Sequence, residues 1–338
     1  MWTDTSGSRS FNSRPLVSVL LIAYRQENLV AAALNSILAQ DYTPLEIIVS
    51  DDCSPDQTYE VMAAIVQRYD GPHTVILNRN PYNHGISAHL TKLAQMSHGE
   101  LLVVAAGDDI SVPHRCSRLV DFWLAHDRKP DLIASDLVEL DEDGLVRSQV
   151  SPTDLARYRS VDDWAASAPY VVGAAHAWSR RLFDRFGDMM PGAMAEDQIM
   201  TLRAIMNGGG AINLREPLVQ YRVGGLSRKR RWKSVNEFIA RIKQTNQFAL
   251  AEITQFVRDA ELAGYGAKMR AALDSKLARE NYTRAVFAAD RLGAKLYLLA
   301  TTRRVKLGFR LRMFLYAACP IVYSPVFTVK YWLASRVH

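Results

Sequence analysis

The chain has 338 residues, 49% of them hydrophobic, and a formal charge of +6. That apolar content excludes global disorder, and the length suits one large domain or one domain with a substantial appendage. Nine of the 41 Lys and Arg lie from Arg291 onward, where Asp and Glu are absent, so the first 290 residues carry 32 basic against 35 acidic side chains.

A nucleic-acid groove would spread its basic residues over the folded body, so no nucleic-acid partner is expected. A basic end beside apolar residues points instead to an anionic membrane surface. Cys53, Cys116 and Cys319 are widely spaced and form no CxxC pair, which favours a reducing, cytoplasmic setting. Residues 1–15 are polar and the apolar run at 16–23 is short, so a first strand rather than a secretory leader is expected there.

In chain order, residues 16–23 read as a buried strand, 24–28 as a polar loop and 30–38 as a helix by their spacing. Residues 45–50 form a second strand ending in Asp51-Asp52-Cys53-Ser54, with a helix over about 57–69. A short third strand at 75–77 precedes the turn-rich loop 80–85 and a helix at 86–96. The unbroken run 101–106 then reads as a strand buried on both faces, and it stops at Gly107-Asp108-Asp109. Such an alternation implies a parallel, doubly wound α/β sheet, in which ligands bind beyond the carboxyl ends of the strands. Ala23-Tyr24, Asp51-Asp52 and Asp108-Asp109 all follow strands and are expected on one edge. Adjacent carboxylates repel unless a cation lies near, and Mg²⁺ is often held by one or two carboxylates plus substrate phosphates. The alternative is an Asp-rich turn that caps a helix. No glycine-rich dinucleotide turn follows the first strand and no GxxxxGK[ST] loop occurs, which weighs against both of those nucleotide folds.

Further on, 113–126 reads as a helix, 131–135 as a strand, and 136–140 with 145–150 as a hairpin around a solvated acidic turn. A short helix is expected at 161–168. Residues 170–178 look strand-like and rich in small residues, which gives a ligand room. Within them Trp178 is either an aromatic platform for a ligand or a buried aromatic, and His176 a candidate polar group of the site. Glu196 and Asp197 open a helix that runs to about 207, where acidic residues suit the helix dipole. They also suit a general base, because a carboxylate far along the chain from Asp108-Asp109 can take a proton from a hydroxyl on the opposite side of a ligand. A short strand is expected at 211–214. The basic run 228–231 is either a loop over the diphosphate or a solvated linker. Residues 232–262 and 267–292 read as a helical hairpin that packs on the body or serves self-association. The apolar stretch 313–329, broken by Pro320 and Pro325, is too short to span a bilayer. An in-plane anchor is expected there, with a core helix as the alternative.

The segments Val17-Ser18-Val19-Leu20-Leu21-Ile22-Ala23-Tyr24, Glu46-Ile47-Ile48-Val49-Ser50-Asp51-Asp52-Cys53-Ser54, Asn83-His84-Gly85 and Gly107-Asp108-Asp109, with the pair Glu196-Asp197, resemble the family 2 glycosyltransferases. These are inverting enzymes of the GT-A fold, a Rossmann-like, mostly parallel sheet flanked by helices. The resemblance covers about residues 14–225 and implies roles for individual residues. Ala23 and Tyr24 would line the base and ribose pocket. Asp52 would contact the nucleobase with Asp51 close by, and the loop from Asn83 to Gly85 would pass the diphosphate. Asp109 would hold Mg²⁺ or Mn²⁺, with Asp108 near the ribose or sugar. Relatives carry Arg, Lys or Asn near the position of His89, which would bind phosphate or pack against the sheet. Asp197 would be the base and Glu196 its partner, or the reverse. Tyr221-Arg222-Val223-Gly224-Gly225-Leu226-Ser227 resembles the family's closing segment but lacks a histidine, so Arg222 or the run at 228–231 would neutralise the diphosphate.

The expected organisation is a nucleotide-sugar transferase domain at 14–230, a helical hairpin at 231–300 and a basic, apolar, membrane-associating tail at 301–338. The expected activity moves a sugar from a nucleotide-diphosphate donor to a glycan or polyprenyl-diphosphate-linked acceptor in bacterial O-antigen, capsule or exopolysaccharide synthesis. It is expected at the inner face of the cell membrane. The rival readings are a sugar-phosphate nucleotidyltransferase, which lacks its basic glycine-rich triphosphate loop here, and a non-catalytic membrane-docking subunit that retains a nucleotide pocket.

Overall fold

The structure, a computed structural model, describes residues 14–141, 143–222 and 234–320. The basic run at 228–231, residues 223–227 of the closing segment and the tail after 320 lie outside them. In chain order the strands are β1 (Val17–Ala23), β2 (Leu45–Asp51), β3 (Thr74–Arg79), β4 (Leu101–Ala106), β5 (Ile110–Ser111), β6 (Leu132–Leu140), β7 (Val146–Val150), β8 (His176–Ser179) and β9 (Ala211–Arg222). The helices are α1 (Val30–Leu38), α2 (Thr58–Arg68), α3 (Ile86–Met96), α4 (Arg115–Ala125), α5 (Val161–Ala166), α6 (Arg180–Phe186) and α7 (Glu196–Asn207). They continue with α8 (Val235–Leu262), α9 (Gly266–Ala288), α10 (Leu292–Thr301) and α11 (Leu307–Ala318).

One sheet runs in the order β3-β2-β1-β4-β8-β6-β9-β5, with β7 added on β6. The first four strands are parallel, as the alternation requires. Their carboxyl ends, at Ala23, Asp51 and Ala106, therefore share one edge. The antiparallel β8 joins this half to β6, which pairs in parallel with β9.

Successive side chains of a strand point to opposite faces, and here both faces are apolar. Val17, Val19 and Leu21 of β1, with Val103 of β4, enter one core with Leu34 of α1, Met62 of α2 and Trp123 of α4. Leu20, Leu102 and Val104 enter the other, against Leu90 of α3, Phe183 of α6 and Met200 of α7. Ile253, Phe256 and Ala260 of α8 and Met269 of α9 belong to that same second core. The helical hairpin thus finishes the layer that carries α7.

Three sequence expectations change. Residues 170–178 do not form one strand. Gly173–Ala175 is a 3-10 turn and only His176–Ser179 is extended. The strand at 131–135 and the first arm of the hairpin merge into the nine-residue β6. The strand at 211–214 continues to Arg222 through Pro217, which sits where the β6–β9 register slips. Such an irregularity tolerates a residue that cannot donate to the ladder.

A buried ion pair fixes α7 against α8. Arg203 Nε donates to Asp259 Oδ2 at 2.7 Å, and Gln255 Nε2 donates to the same carboxylate at 2.8 Å. Arg203 also donates to Gly187 O at 2.9 Å, while Gln255 Oε1 accepts from Met190 N at 2.6 Å. The loop before α7 is therefore held by both helices. Removing one partner strands a buried charge, so Asp259→Ala should lower the unfolding free energy by about 3–5 kcal/mol in urea titrations. A loss under about 1 kcal/mol would contradict this account.

Candidate active site

The three parallel strand ends are laced together by backbone. Asp52 N donates to Ala23 O and Gly107 N to Ile22 O, both at 2.9 Å. Gly107 must be a glycine, because a Cβ there would lie 2.5 Å from Gln26 Oε1 and 2.9 Å from the Ala23 Cβ. Ala23 is buried, so it shapes this edge by packing. Tyr24 is the exposed aromatic beside it, 40% accessible, with the Arg25 guanidinium 5.3 Å from its ring centre.

Asp51 and Asp52 are both buried and are used differently. Asp52 Oδ1 accepts from Asn80 Nδ2 at 2.7 Å and from His84 N at 2.9 Å, while Oδ2 accepts from Gly85 N at 2.9 Å. Asn83 Nδ2 donates to Asp52 O at 3.3 Å. Asp52 thus caps the entry to α3 and holds the loop from Asn83 to Gly85 in place. Gly85 makes that turn at φ +76°, a conformation that glycine adopts without cost. Asp51 Oδ2 accepts from Ser54 N at 2.9 Å, and its Oδ1 has no hydrogen-bond partner among the described residues. His89 is 2% exposed and its Nε2 lies 2.6 Å from Ser50 Oγ. Burial pushes its pKa down to about 4. It packs against the sheet, and the alternative of direct phosphate contact gives way to a supporting place.

Past β4, the chain turns so that Asp109 Oδ1 accepts from Arg222 N, at the end of β9, at 2.9 Å. The pairing of β5 with β9 brings that residue there, with Ile110 opposite Gln220. Asp109 is 6% exposed, and its Oδ2 is buried without a hydrogen-bond partner among the described residues. Burial, and then the Asp108 charge, pushes its pKa up to about 8. Burial raises Asp108 too, against the opposing pull of Gln26 and Arg222. An orphaned oxygen beside a second carboxylate is a donor set that a hard divalent cation fits. Among the described residues no group of three His, Cys, Asp or Glu gathers as a metal cage.

The second carboxylate pair opens α7. Glu196 is buried, and burial followed by the Asp197 charge holds its pKa well above the usual range. Asp197 is half-buried and its Oδ1 accepts from Gln198 N at 2.7 Å. Burial, assisted by the Glu252 charge from α8, raises its pKa to about 6. The Glu196 carboxylate lies against Gly173, where any Cβ would meet Glu196 Oε1. Trp178 and His176 are fully buried, so neither serves as the acceptor platform or polar group the sequence suggested. Tyr170 is 55% exposed and lies within reach of the Asp197 charge.

The two halves meet through Arg115, which is 1% exposed. Its Nη2 donates to Val104 O of β4 at 2.9 Å and to Ala174 O at 2.6 Å. Its charge acts on Asp109. Arg115 thus links the strand behind the Asp108-Asp109 pair to the turn that receives Glu196. Sequence reasoning missed it, as it missed Gln26, Gly173 and Glu252. Gln26 lay in a loop already marked polar, whereas an arginine in a helix that reads as amphipathic gives no sign of being buried.

Comparison with known proteins decides the family. Residues 18–186 match the family described as Glycosyl transferase family 2. The chain belongs to that family. Among its relatives, EpsE of Bacillus subtilis (strain 168), which carries a glycosyltransferase name, is 28% identical over 225 residues, 65% of this chain and 77% of that one. The succinoglycan biosynthesis protein ExoO of Rhizobium meliloti (strain 1021) is 26% identical over 278 residues, 74% of each chain. The TarS 1–349 fragment of S. aureus in complex with UDP-GlcNAc superposes with a TM-score of 0.53 at 17% identity, over 94% of this chain and 92% of that one. This glycosyltransferase therefore has the GT-A type of fold.

One consequence of the packing is testable. Gly173→Ala should displace Glu196 and slow glycosyl transfer, while leaving the Kd for the nucleotide donor, measured by calorimetry, within about twofold. Unchanged transfer would show that the Gly173–Glu196 contact does not position the pair.

Proposed function

We propose that this glycosyltransferase is a metal-dependent inverting enzyme. It takes sugar from a nucleoside-diphosphate donor and passes it to a hydroxyl of a glycan or polyprenyl-diphosphate-linked acceptor. The observation that carries this reading is the pairing of two desolvated carboxylate couples with opposite needs. Asp108-Asp109 offers an unpartnered oxygen on carboxyls whose ionisation burial disfavours, as a cation site would, whereas Glu196-Asp197 joins a carboxyl held well above the usual range to one whose pKa is raised to about 6. A domain at 14–230 would carry both.

In this reading the donor lies along the shared strand edge, its base beside Tyr24 and the Asp51-Asp52 turn. The loop from Asn83 to Gly85 and Arg222 flank its diphosphate. Asp109, with Asp108, would hold Mg²⁺ or Mn²⁺, which when bound supplies Lewis-acid stabilisation of the charge on the departing diphosphate. Asp197 takes the proton of the acceptor hydroxyl. The acceptor oxygen bonds to the anomeric carbon as the bond from that carbon to the diphosphate oxygen breaks, and the configuration inverts. Glu196, protonated, donates to the acceptor or to its neighbour. Tyr170 takes the place of Trp178 as the aromatic surface beside the base.

A surface-polysaccharide acceptor is favoured by the succinoglycan relative. Peripheral residence at the inner membrane face is favoured by the basic, acid-free end of the chain. Among the described residues no helix is long and apolar enough to cross a membrane.

Two variants test the division of labour. Asp109→Ala should abolish metal-dependent donor binding in calorimetry, and unchanged metal dependence would contradict the assignment. Asp197→Asn should keep donor binding but lower transfer by about 10²–10⁴-fold. The pH profile follows from the raised pKa of Asp197. Its carboxylate is the active form, so kcat/KM should fall as pH drops through about 6. In Asp197→Asn that acid limb should vanish.

A further inference from the structure

We infer that the α10–α11 hairpin, not only the tail beyond it, docks the protein on an anionic lipid bilayer. The inference deepens the peripheral membrane association proposed above and rests on it. The two helices run antiparallel, because Lys295 Nζ donates to Ala317 O at 2.9 Å and the Arg310 guanidinium donates to Leu299 O. One side of each packs with α9: Leu298 from α10, and Phe309 and Met313 from α11, join Tyr282 and Val286 in a small separate core.

The leucines are elsewhere. Leu292 and Leu296 are 57% and 48% exposed, and Leu307, Leu311 and Leu315 are 56%, 41% and 39% exposed. The latter three stand four residues apart and form one stripe. At 100° per residue, all five lie roughly 120–160° around their helices from the residues that pack on α9. Both stripes therefore face away from α9, on the same outward side of the hairpin.

Charge selects the occupant. The turn between the helices carries Arg303, Arg304 and Lys306, all exposed, and from residue 291 onward the chain has no acidic side chain. Arg304 reaches Asp274 at 3.7 Å in a pair exposed on both sides, an interaction that solvent screens. An apolar stripe flanked by Arg303, Arg304 and Lys306, on two helices that carry no carboxylate of their own, matches the interface of an anionic bilayer. A second copy placed face to face would set one acid-free basic end against another and be repelled.

The test is sedimentation of the full-length protein with vesicles of phosphatidylcholine, with and without about 30% phosphatidylserine, a proportion chosen to supply the anionic surface charge. Wild type should bind the anionic vesicles preferentially. Leu307→Ser with Leu311→Ser, and separately Arg303→Glu with Lys306→Glu, should each weaken that binding by about tenfold or more. Donor hydrolysis measured without vesicles should be unchanged. If wild type binds but the leucine variant binds equally well, the hairpin is not the docking face, although membrane association stands. If wild type does not bind, both fall. If the leucine variant changes only the oligomeric state, the face belongs to a second copy and the inference is overturned. Vesicle binding in a protein with no donor turnover would leave the docking intact and sink the transferase reading.

Discussion

The central constraint in this protein is the cost of keeping carboxylates charged away from water. Four acidic side chains sit in two adjacent pairs, and burial is the first cause of the raised pKa in each. A buried charge is tolerated only when something compensates it. At Asp108-Asp109 the compensation is partial: Arg222 and Arg115 are near, and one oxygen still lacks a partner. At Glu196-Asp197 burial pushes both carboxyls up, Asp197 to about 6 and Glu196 well above the usual range. In the proposed reading the first pair serves as an ion site and the second as a base, each perturbed by its own surroundings.

The remaining structure serves to hold these pairs. Four parallel strands bring three polar ends to one edge, and Asp52 ties the loop at Asn83–Gly85 back to it. On the other side, α7 presents its first turn only because the loop before it is clamped by Arg203, Asp259 and Gln255. The residues Asp259, Gln255 and Glu252 belong to α8, in the C-terminal helical hairpin. That hairpin therefore helps to fix the first turn of α7, and the same run of helices continues into the basic, leucine-bearing pair α10 and α11.

Much of this was legible in the sequence, for physical reasons that differ by element. The strands β1, β2 and β4 could be read because each is buried on both faces and so appears as a largely unbroken apolar run, whereas β3, half-exposed, showed only its three apolar residues. Asp51-Asp52, Asp108-Asp109 and Glu196-Asp197 could be read because carboxylates directly after a strand, or in a first helical turn, need a reason to be there. The extent of β9 was hidden by Pro217, whose tolerance depends on a register slip that only the partner strand β6 reveals. The need for glycine at Gly173 was hidden because the group that crowds it, the Glu196 carboxyl, comes from a neighbour far along the chain. Arg115 was invisible for the same reason: burial of a lone arginine is decided by the carbonyls of Val104 and Ala174, which no local spacing encodes.

The most direct measurement is the anomeric configuration of the glycosidic product, read from the coupling constant of its anomeric proton by NMR. A single displacement assisted by one base and one ion site leaves the new linkage with the configuration opposite to that in the donor. A product that retained the donor's configuration would mean that the acceptor did not attack opposite the leaving diphosphate, and would contradict the roles assigned to the two carboxylate pairs.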